Sequence, residues 1–256
     1  MSDPSALAHV AAAVAAAGAG LVNAIAGGGT LISFPALTAV GVPALHANAT
    51  NTVALMPGYL GGVQAQRNDL DRVTREFKWL LVAAALGGLL GSVLLVVSSD
   101  STFKALVPFL ILSSVLLMAF QDRVRARIFA SGQPHDDHAG AQLASVGLAA
   151  VYGGYFGAGL GIMLIAVLGL FSHRKLNELN AVKLVLAFVI NAAAAAFLAM
   201  SDKVEWSLVA VMAPAALVGG HLGGRLASRL PPKPLRAFVI VIGLVVSIVY
   251  LVRLLR

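Results

Sequence analysis

The chain has 256 residues, of which 59% are hydrophobic and 11% are charged, and its mean hydropathy is +0.89. Soluble domains carry about 25% charged residues, so this composition excludes a soluble globular protein and indicates an integral membrane protein. The net charge of +7 is expected where Lys and Arg collect in cytoplasmic loops, and it requires no nucleic-acid partner. The absence of cysteine excludes disulfides and thiol chemistry.

Apolar segments follow one another along the chain and predict an all-α membrane protein. Several approach the ~20 residues that cross the hydrocarbon as a helix, and the alternating pattern of a β-barrel strand is absent. The second and seventh segments are short, since ~12 helical residues rise only ~18 Å. We expect these two to be broken or re-entrant helices near the midplane. The predicted segments are 6–26, 30–41, 46–66, 77–98, 103–120, 142–160, 162–171, 178–200, 205–226 and 235–253.

The distribution of basic residues predicts the orientation. Four polar segments are rich in Lys and Arg, namely 67–78, 121–129, 172–178 and 225–236, whereas 42–46, 98–101 and 200–205 contain few or none. Placing the basic set in the cytoplasm gives a consistent multi-pass topology with both termini outside. The connection after the second segment is then external and the one after the seventh is internal, so the two halves have opposite orientations.

A repeat in the sequence agrees with this inversion. An offset of 132 residues (161 minus 29) superposes Gly29 on Gly161 and Asn48 on Asn180. The sequence thus predicts two inverted-topology repeats of about five helical elements each, an arrangement common in transporters. Their ranges are 1–120 and 142–256, joined by a cytoplasmic linker at 121–141 that contains "HDDH" at 135–138, which we interpret as solvated loop and not as a metal site.

Glycines interrupt the first and sixth segments. Gly27, Gly28 and Gly29 break the first, and "GGYFGAGLG" at 153–161 repeats the break in the second half. A broken helix survives at membrane depth only where protein or water satisfies its backbone. The N–H groups near Gly28, Gly29 and Thr30 need partners, and a helix N-terminus favours an anion. Two converging breaks predict a central anion site; the alternative is that the glycines only permit close helix packing.

The third and eighth segments carry most of the polar residues expected within spans. Positions 11 apart share a helix face within ~20°, so Asn48 and Tyr59 form one stripe and Asn180 and Asn191 form the equivalent one. These amides either line a cavity or bond between helices. Lys183 either attracts an anion as a point charge or extends to the cytoplasmic surface. Candidate proton carriers are His46, Glu178 and His221, the last of which is alternatively a packing residue.

The stretch "NAIAGGGTLISFPALTAVGVPALHANATNTVALMPGYLGG" resembles the signature of the TauE/SafE family of membrane transporters, and "GGYFGAGLGIMLIAVLGLF" followed by "LNAVK" resembles its second-half counterpart. The resemblance implies a bacterial inner-membrane transporter of small anions, including sulfite and organosulfonates such as sulfoacetate. The positions that match the family are Asn23, Gly27, Gly28, Gly29, Asn48, Thr50, Asn51, Gly159, Gly161, Asn180 and Lys183.

The functional hypothesis is an exporter of small sulfur-containing anions that works by alternating access and needs no cofactor or metal. Its partners are the anionic substrate and lipid, and it acts as a monomer or a homodimer. The alternatives are an anion channel and an intramembrane enzyme or lipid-handling protein. An enzyme is disfavoured because the sequence has no Walker loop, no HExxH and no nucleophile elbow. The predicted substrate-binding residues are Asn23, Gly27, Gly28, Gly29, Thr30, Asn48, Asn51, Tyr59, Gly159, Gly161, Asn180, Lys183 and Asn191.

Overall fold

The computed structural model describes residues 5–65, 77–130, 139–172, 176–227, 229 and 232–255. Within these residues every regular element is an α-helix, as the composition predicts. Helices form because each one satisfies its own backbone hydrogen bonds, which hydrocarbon cannot do. They are α1 (Ala6–Ile25), α2 (Thr30–Ala39), α3 (Ala44–Ala65), α4 (Lys78–Val97), α5 (Asp100–Ala130), α6 (Ala139–Tyr155), α7 (Leu160–Leu170), α8 (Leu176–Leu198), α9 (Trp206–Leu226) and α10 (Pro232–Leu255).

Six helices of the described chain contain stretches long and apolar enough to span a membrane, and they lie in α1, α4, α5, α8, α9 and α10. α3 has 22 residues but carries too many polar side chains to join this group. The apolar window of α10 is only 22% buried. Its large side chains Phe238, Val241 and Ile248 are exposed. A continuous apolar surface of this kind suits contact with lipid and would be a liability in water.

The second and seventh helices are short, as predicted. α2 has 10 residues and α7 has 11, so each rises only about 15 to 17 Å and is too short to cross alone. Each follows a break of the preceding helix, at residues 26–29 and 156–159. Positive φ angles occur in both breaks, at Gly27 (69°), Gly28 (133°), Gly157 (77°) and Gly159 (75°). Glycine adopts these conformations without the steric cost that a Cβ imposes.

Helices of the first half of the chain (α1–α5) pack against helices of the second half (α6–α10), so the two halves do not form separate units. α4 packs against α6 and α8, and α9 packs against α1 and α3. Glycines make these contacts close: a Cβ on Gly88 of α4 would lie 2.5 Å from the carbonyl oxygen of Ile190, and a Cβ on Gly220 of α9 would overlap the carbonyl oxygen of Gly58. Small residues allow helix backbones to approach in this way within a membrane.

Two helix ends differ from the sequence prediction by more than three residues. α5 runs to Ala130 and not to 120, because Gln, Arg and Ala at 121–130 are strong helix formers; the first half of the predicted linker is therefore helical. α6 ends at Tyr155 and not at 160, because the glycines that follow it have positive φ angles. The "HDDH" segment lies outside the described residues, as do 67–76 and 173–175 of the basic segments.

Candidate functional site

The first break is closed by a side chain from the helix that precedes it. Asn23 lies in the last turn of α1, and its Oδ1 accepts hydrogen bonds from the N–H groups of Gly28 (3.1 Å) and Gly29 (2.7 Å). The side chain is buried. Two of the backbone donors that the sequence analysis left without partners, those of Gly28 and Gly29, therefore share one acceptor in this conformation, and Asn23 closes the break ahead of α2.

The two breaks meet at a contact between glycines. A Cβ on Gly27 would lie 3.1 Å from the Cα of Gly161, and a Cβ on Gly161 would lie 3.2 Å from the Cα of Gly27. Gly161 is in the first turn of α7. Because these distances leave no space for side chains, the glycines allow direct backbone contact between the first break and the start of α7.

Lys183 of α8 reaches this junction from the side. Its side chain is only 1% exposed, so the alternative that it extends to the cytoplasmic surface is wrong. A Cβ on Gly161 would lie 3.3 Å from Lys183 Cδ, and Lys183 Nζ donates to the backbone oxygen of Asn23 at 3.4 Å. A charged residue inside the hydrocarbon region is costly and is usually functional. The ammonium group is held beside the residue that closes the first break.

Two asparagines of α3 reach the two breaks separately. Asn48 Nδ2 donates to the backbone oxygen of Tyr155, the last residue of α6, at 2.8 Å. Asn51 Nδ2 lies 3.5 Å from Oγ1 of Thr30, the first residue of α2. Both asparagines are buried, and neither Oδ1 has a hydrogen-bond partner among the described residues. A buried acceptor without a donor is costly, so these two oxygens mark a place where water or a solute is expected.

Tyr59 and Asn191 interact with each other across α3 and α8. The Tyr59 hydroxyl faces the Asn191 side chain, and Asn191 Nδ2 donates to Ala187 O at 2.8 Å within its own helix. Both residues are buried. This pair therefore lies at the contact between α3 and α8, and the choice between interhelical bonding and cavity lining stays a prediction.

The remaining predicted residues lie elsewhere along the same helices. His46 Nδ1 lies 3.7 Å from Oε1 of Glu205 where α3 and α9 begin, and both side chains are partly exposed. The backbone nitrogen of His221 packs on Gly61 of α3, whereas Gly159 packs on Ser114 of α5. Two further predicted residues of α8, Glu178 and Asn180, are half-buried and precede Lys183.

Sequence reasoning missed two residues that close the second break. The hydroxyl oxygens of Tyr152 and Ser114 lie 2.7 and 2.9 Å from the backbone oxygen of Ala158, and 2.7 Å from each other. These bonds satisfy a carbonyl group that the break leaves outside α6 and α7. The available signal was the serine pair at 113–114 in an apolar span, since a polar residue there needs a partner.

The chain is similar to known membrane proteins over nearly its whole length. The family model described as "Sulfite exporter TauE/SafE" matches residues 12–250. A "Probable membrane transporter protein" of Haemophilus influenzae is 27% identical over 237 residues, which cover 90% of this chain and 89% of the relative. "Probable membrane transporter protein ORF9" of Sinorhizobium sp is 25% identical (92% and 89% covered). "Probable membrane transporter protein YfcA" of Escherichia coli K12 is 24% identical (90% and 84% covered). No solved structure matches.

Proposed function

Because the chain belongs to the TauE/SafE family of membrane transporters, we propose that it exports small sulfur-containing anions, such as sulfite or an organosulfonate like sulfoacetate, across a bacterial inner membrane. The substrate binds where the two helix breaks meet and is exposed to one side of the membrane at a time. The protein is a transporter and not an enzyme in this proposal, in keeping with the transporter names of its relatives.

The observation that carries the proposal is the convergence of three features that favour negative charge. The N-terminus of α2 presents backbone N–H groups at Gly28 and Gly29, Gly161 at the start of α7 contacts Gly27, and the buried Lys183 ammonium lies beside them. Helix N-termini carry partial positive charge, and Lys adds a compact full charge. Together they replace part of the hydration that an oxyanion loses on entering the protein.

The packing supports an inverted repeat. Under the offset of 132, Gly88 corresponds to Gly220 and Gly58 to Ile190. Gly88 packs on Ile190, and Gly220 packs on Gly58, so these contacts are related by a twofold exchange of the halves. The contacts at the two breaks are related by the same exchange of the halves. Residues of α3 bind the end of α6, and residues of α8 bind the end of α1. Such a relation allows one half to rock against the other.

The direction of transport follows from charge. Moving one negative charge outward is favoured by ~2.3 kcal/mol per 100 mV of inside-negative potential, so export needs no coupling ion.

Proteoliposomes test the proposal directly. Radiolabelled sulfite, sulfoacetate, taurine, thiosulfate and acetate are compared for saturable uptake and for counterflow against the same unlabelled solute. We expect at least one sulfur-containing anion to show both. Linear flux without counterflow would instead indicate a channel, and chemical conversion of a solute would indicate an enzyme. A protein that moves none of these anions at any potential would refute the proposed function.

A further inference from the structure

The Asn23 side chain occupies the place that an anionic oxygen would take at the N-terminus of α2. Its Oδ1 accepts both Gly28 N and Gly29 N, and helix N-termini of this kind bind phosphate, sulfate and carboxylate oxygens through such N–H groups. Asn23 also contributes the backbone oxygen that holds Lys183 Nζ. One residue thus engages both the helix N-terminus and the cation of the junction.

A second feature at the same helix start points independently to a solute. Asn51 is 2% exposed, and its Oδ1 has no hydrogen-bond partner among the described residues. Its Nδ2 contacts Thr30 Oγ1, at the first residue of α2. A half-turn about the Cβ–Cγ bond would exchange the two amide atoms. The contact would persist, because a threonine hydroxyl both donates and accepts, and Nδ2 would become a donor for an incoming anion.

We propose that Asn23 is an internal competitor of the substrate, whose amide oxygen closes the empty site and must be displaced when an anion binds. This inference rests on the proposed function and adds a residue that sets affinity. An anion makes charge-assisted bonds with these N–H groups, which are roughly twice as strong as the neutral bonds of the amide. The anion therefore displaces the amide oxygen, but its net binding free energy is smaller than its own contacts would give, because each binding event first breaks the two Asn23 bonds.

Such a competitor suits a transporter, which has to release what it binds. A site that holds its anion too tightly moves it slowly, and conduction through a membrane requires binding that is favourable yet weak enough to leave. When the anion departs, Oδ1 of Asn23 returns to the two N–H groups and lowers the free energy of the unoccupied site. Asn23 thus accelerates release at the expense of affinity.

The test uses the full chain and methanesulfonate, which stays anionic from acid to neutral pH. In Asn23→Ala we expect methanesulfonate to bind about tenfold more tightly, because two neutral hydrogen bonds of ordinary strength no longer compete, while its counterflow rate falls. A purely structural role of Asn23 would weaken binding and flux together. Ser92→Ala, which removes a buried hydroxyl bonded within α4, serves as the control and should change neither.

Asn23→Asp provides a test that does not depend on the stability of the alanine variant. A carboxylate at this position keeps the bonds to Gly28 and Gly29 and adds the charge of the substrate, so methanesulfonate should bind at least about tenfold more weakly when the carboxylate is ionised. Acidification should restore binding as the carboxylate is protonated. The wild type measured over the same pH range corrects for Lys183 beside the site and for His221 of α9, which packs against α1.

The outcomes separate the two proposals. A wild type that neither binds nor moves methanesulfonate, sulfite or any other tested anion would refute the proposed function and, with it, this inference. A wild type that transports, combined with an Asn23→Asp variant that binds as the wild type does at every pH, would overturn only the role of Asn23. A folded Asn23→Ala variant that binds methanesulfonate no more tightly would do the same.

Discussion

Replacing Lys183 by methionine removes a buried charge from the junction of the breaks while keeping a long, flexible side chain. The ammonium is 1% exposed and lies 3.4 Å from the backbone oxygen of Asn23. A hydrogen bond to a charged group contributes about 1.5 to 3 kcal/mol, so losing it from the bound anion should weaken binding by about tenfold to a hundredfold. We expect counterflow of sulfite at low concentration to fall by the same factor.

The variant should still fold. Methionine fills the space along Gly161 that the lysine stem occupies, and the carbonyl oxygen of Asn23 loses a donor, at a cost of about 1 to 3 kcal/mol. Thermal unfolding in detergent measures that cost separately from sulfite affinity. Lys203→Met, at a lysine that pairs with the exposed Asp202, is the matched control and should transport normally. Wild-type sulfite affinity and flux in a folded Lys183→Met protein would refute the role of the charge.

Three further predictions concern the glycines of the breaks, the orientation of the chain and the driving force for export. Gly161→Val and Gly28→Val should each abolish flux while the protein still inserts, because the new side chains would meet the backbone of Gly27 and the side chain of Met118, respectively. The control Gly18→Ala, whose Cβ meets nothing within 4 Å, should remain active. Active valine variants would show that these glycines serve only helix packing. Since the chain lacks cysteine, single cysteines introduced at 67–78 and 172–178 should react with an impermeant maleimide from the cytoplasmic side only, and labelling from opposite sides would exclude the inverted topology. An inside-negative potential of 100 mV should shift the equilibrium distribution of a monovalent anion outward by about fiftyfold, as measured with potassium and valinomycin, and a distribution indifferent to potential would exclude uncoupled export.

The sequence was sufficient for the elements of this fold but not for all of their ends. The length of the apolar segments and the position of glycines predict the short helices α2 and α7 and both breaks, because these properties are local. The sequence predicts the end of α5 at residue 120, ten residues before its observed end at Ala130. A helix continues through charged residues beyond a membrane span as readily as through apolar ones, and hydropathy does not register the continuation.

The pairings at the site were beyond sequence reasoning for a different reason. Lys183 and Asn23 are 160 residues apart, and their contact exists only because α8 of one half crosses the broken end of α1 of the other. Asn23 was identified through the family resemblance, but its bonds to Gly28 and Gly29 depend on the path of the chain through two positive φ angles. A pattern of residue types predicts that the N–H groups at a broken helix need partners, and the fold selects which side chain supplies an acceptor.

The backbone contact between Gly27 and Gly161 bears on the proposed rocking of the two halves. If the halves rock as proposed, interlocked side chains at this point would have to leave their packed positions each time, and protein interiors resist such changes. Glycines lack side chains to interlock, so the first break and the start of α7 are able to separate and meet again at little steric cost. Polar groups at this junction include the Asn23 amide and the Lys183 ammonium, and in the proposed mechanism an oxyanion competes for both. Under that proposal, substrate binding and opening are linked through these two residues.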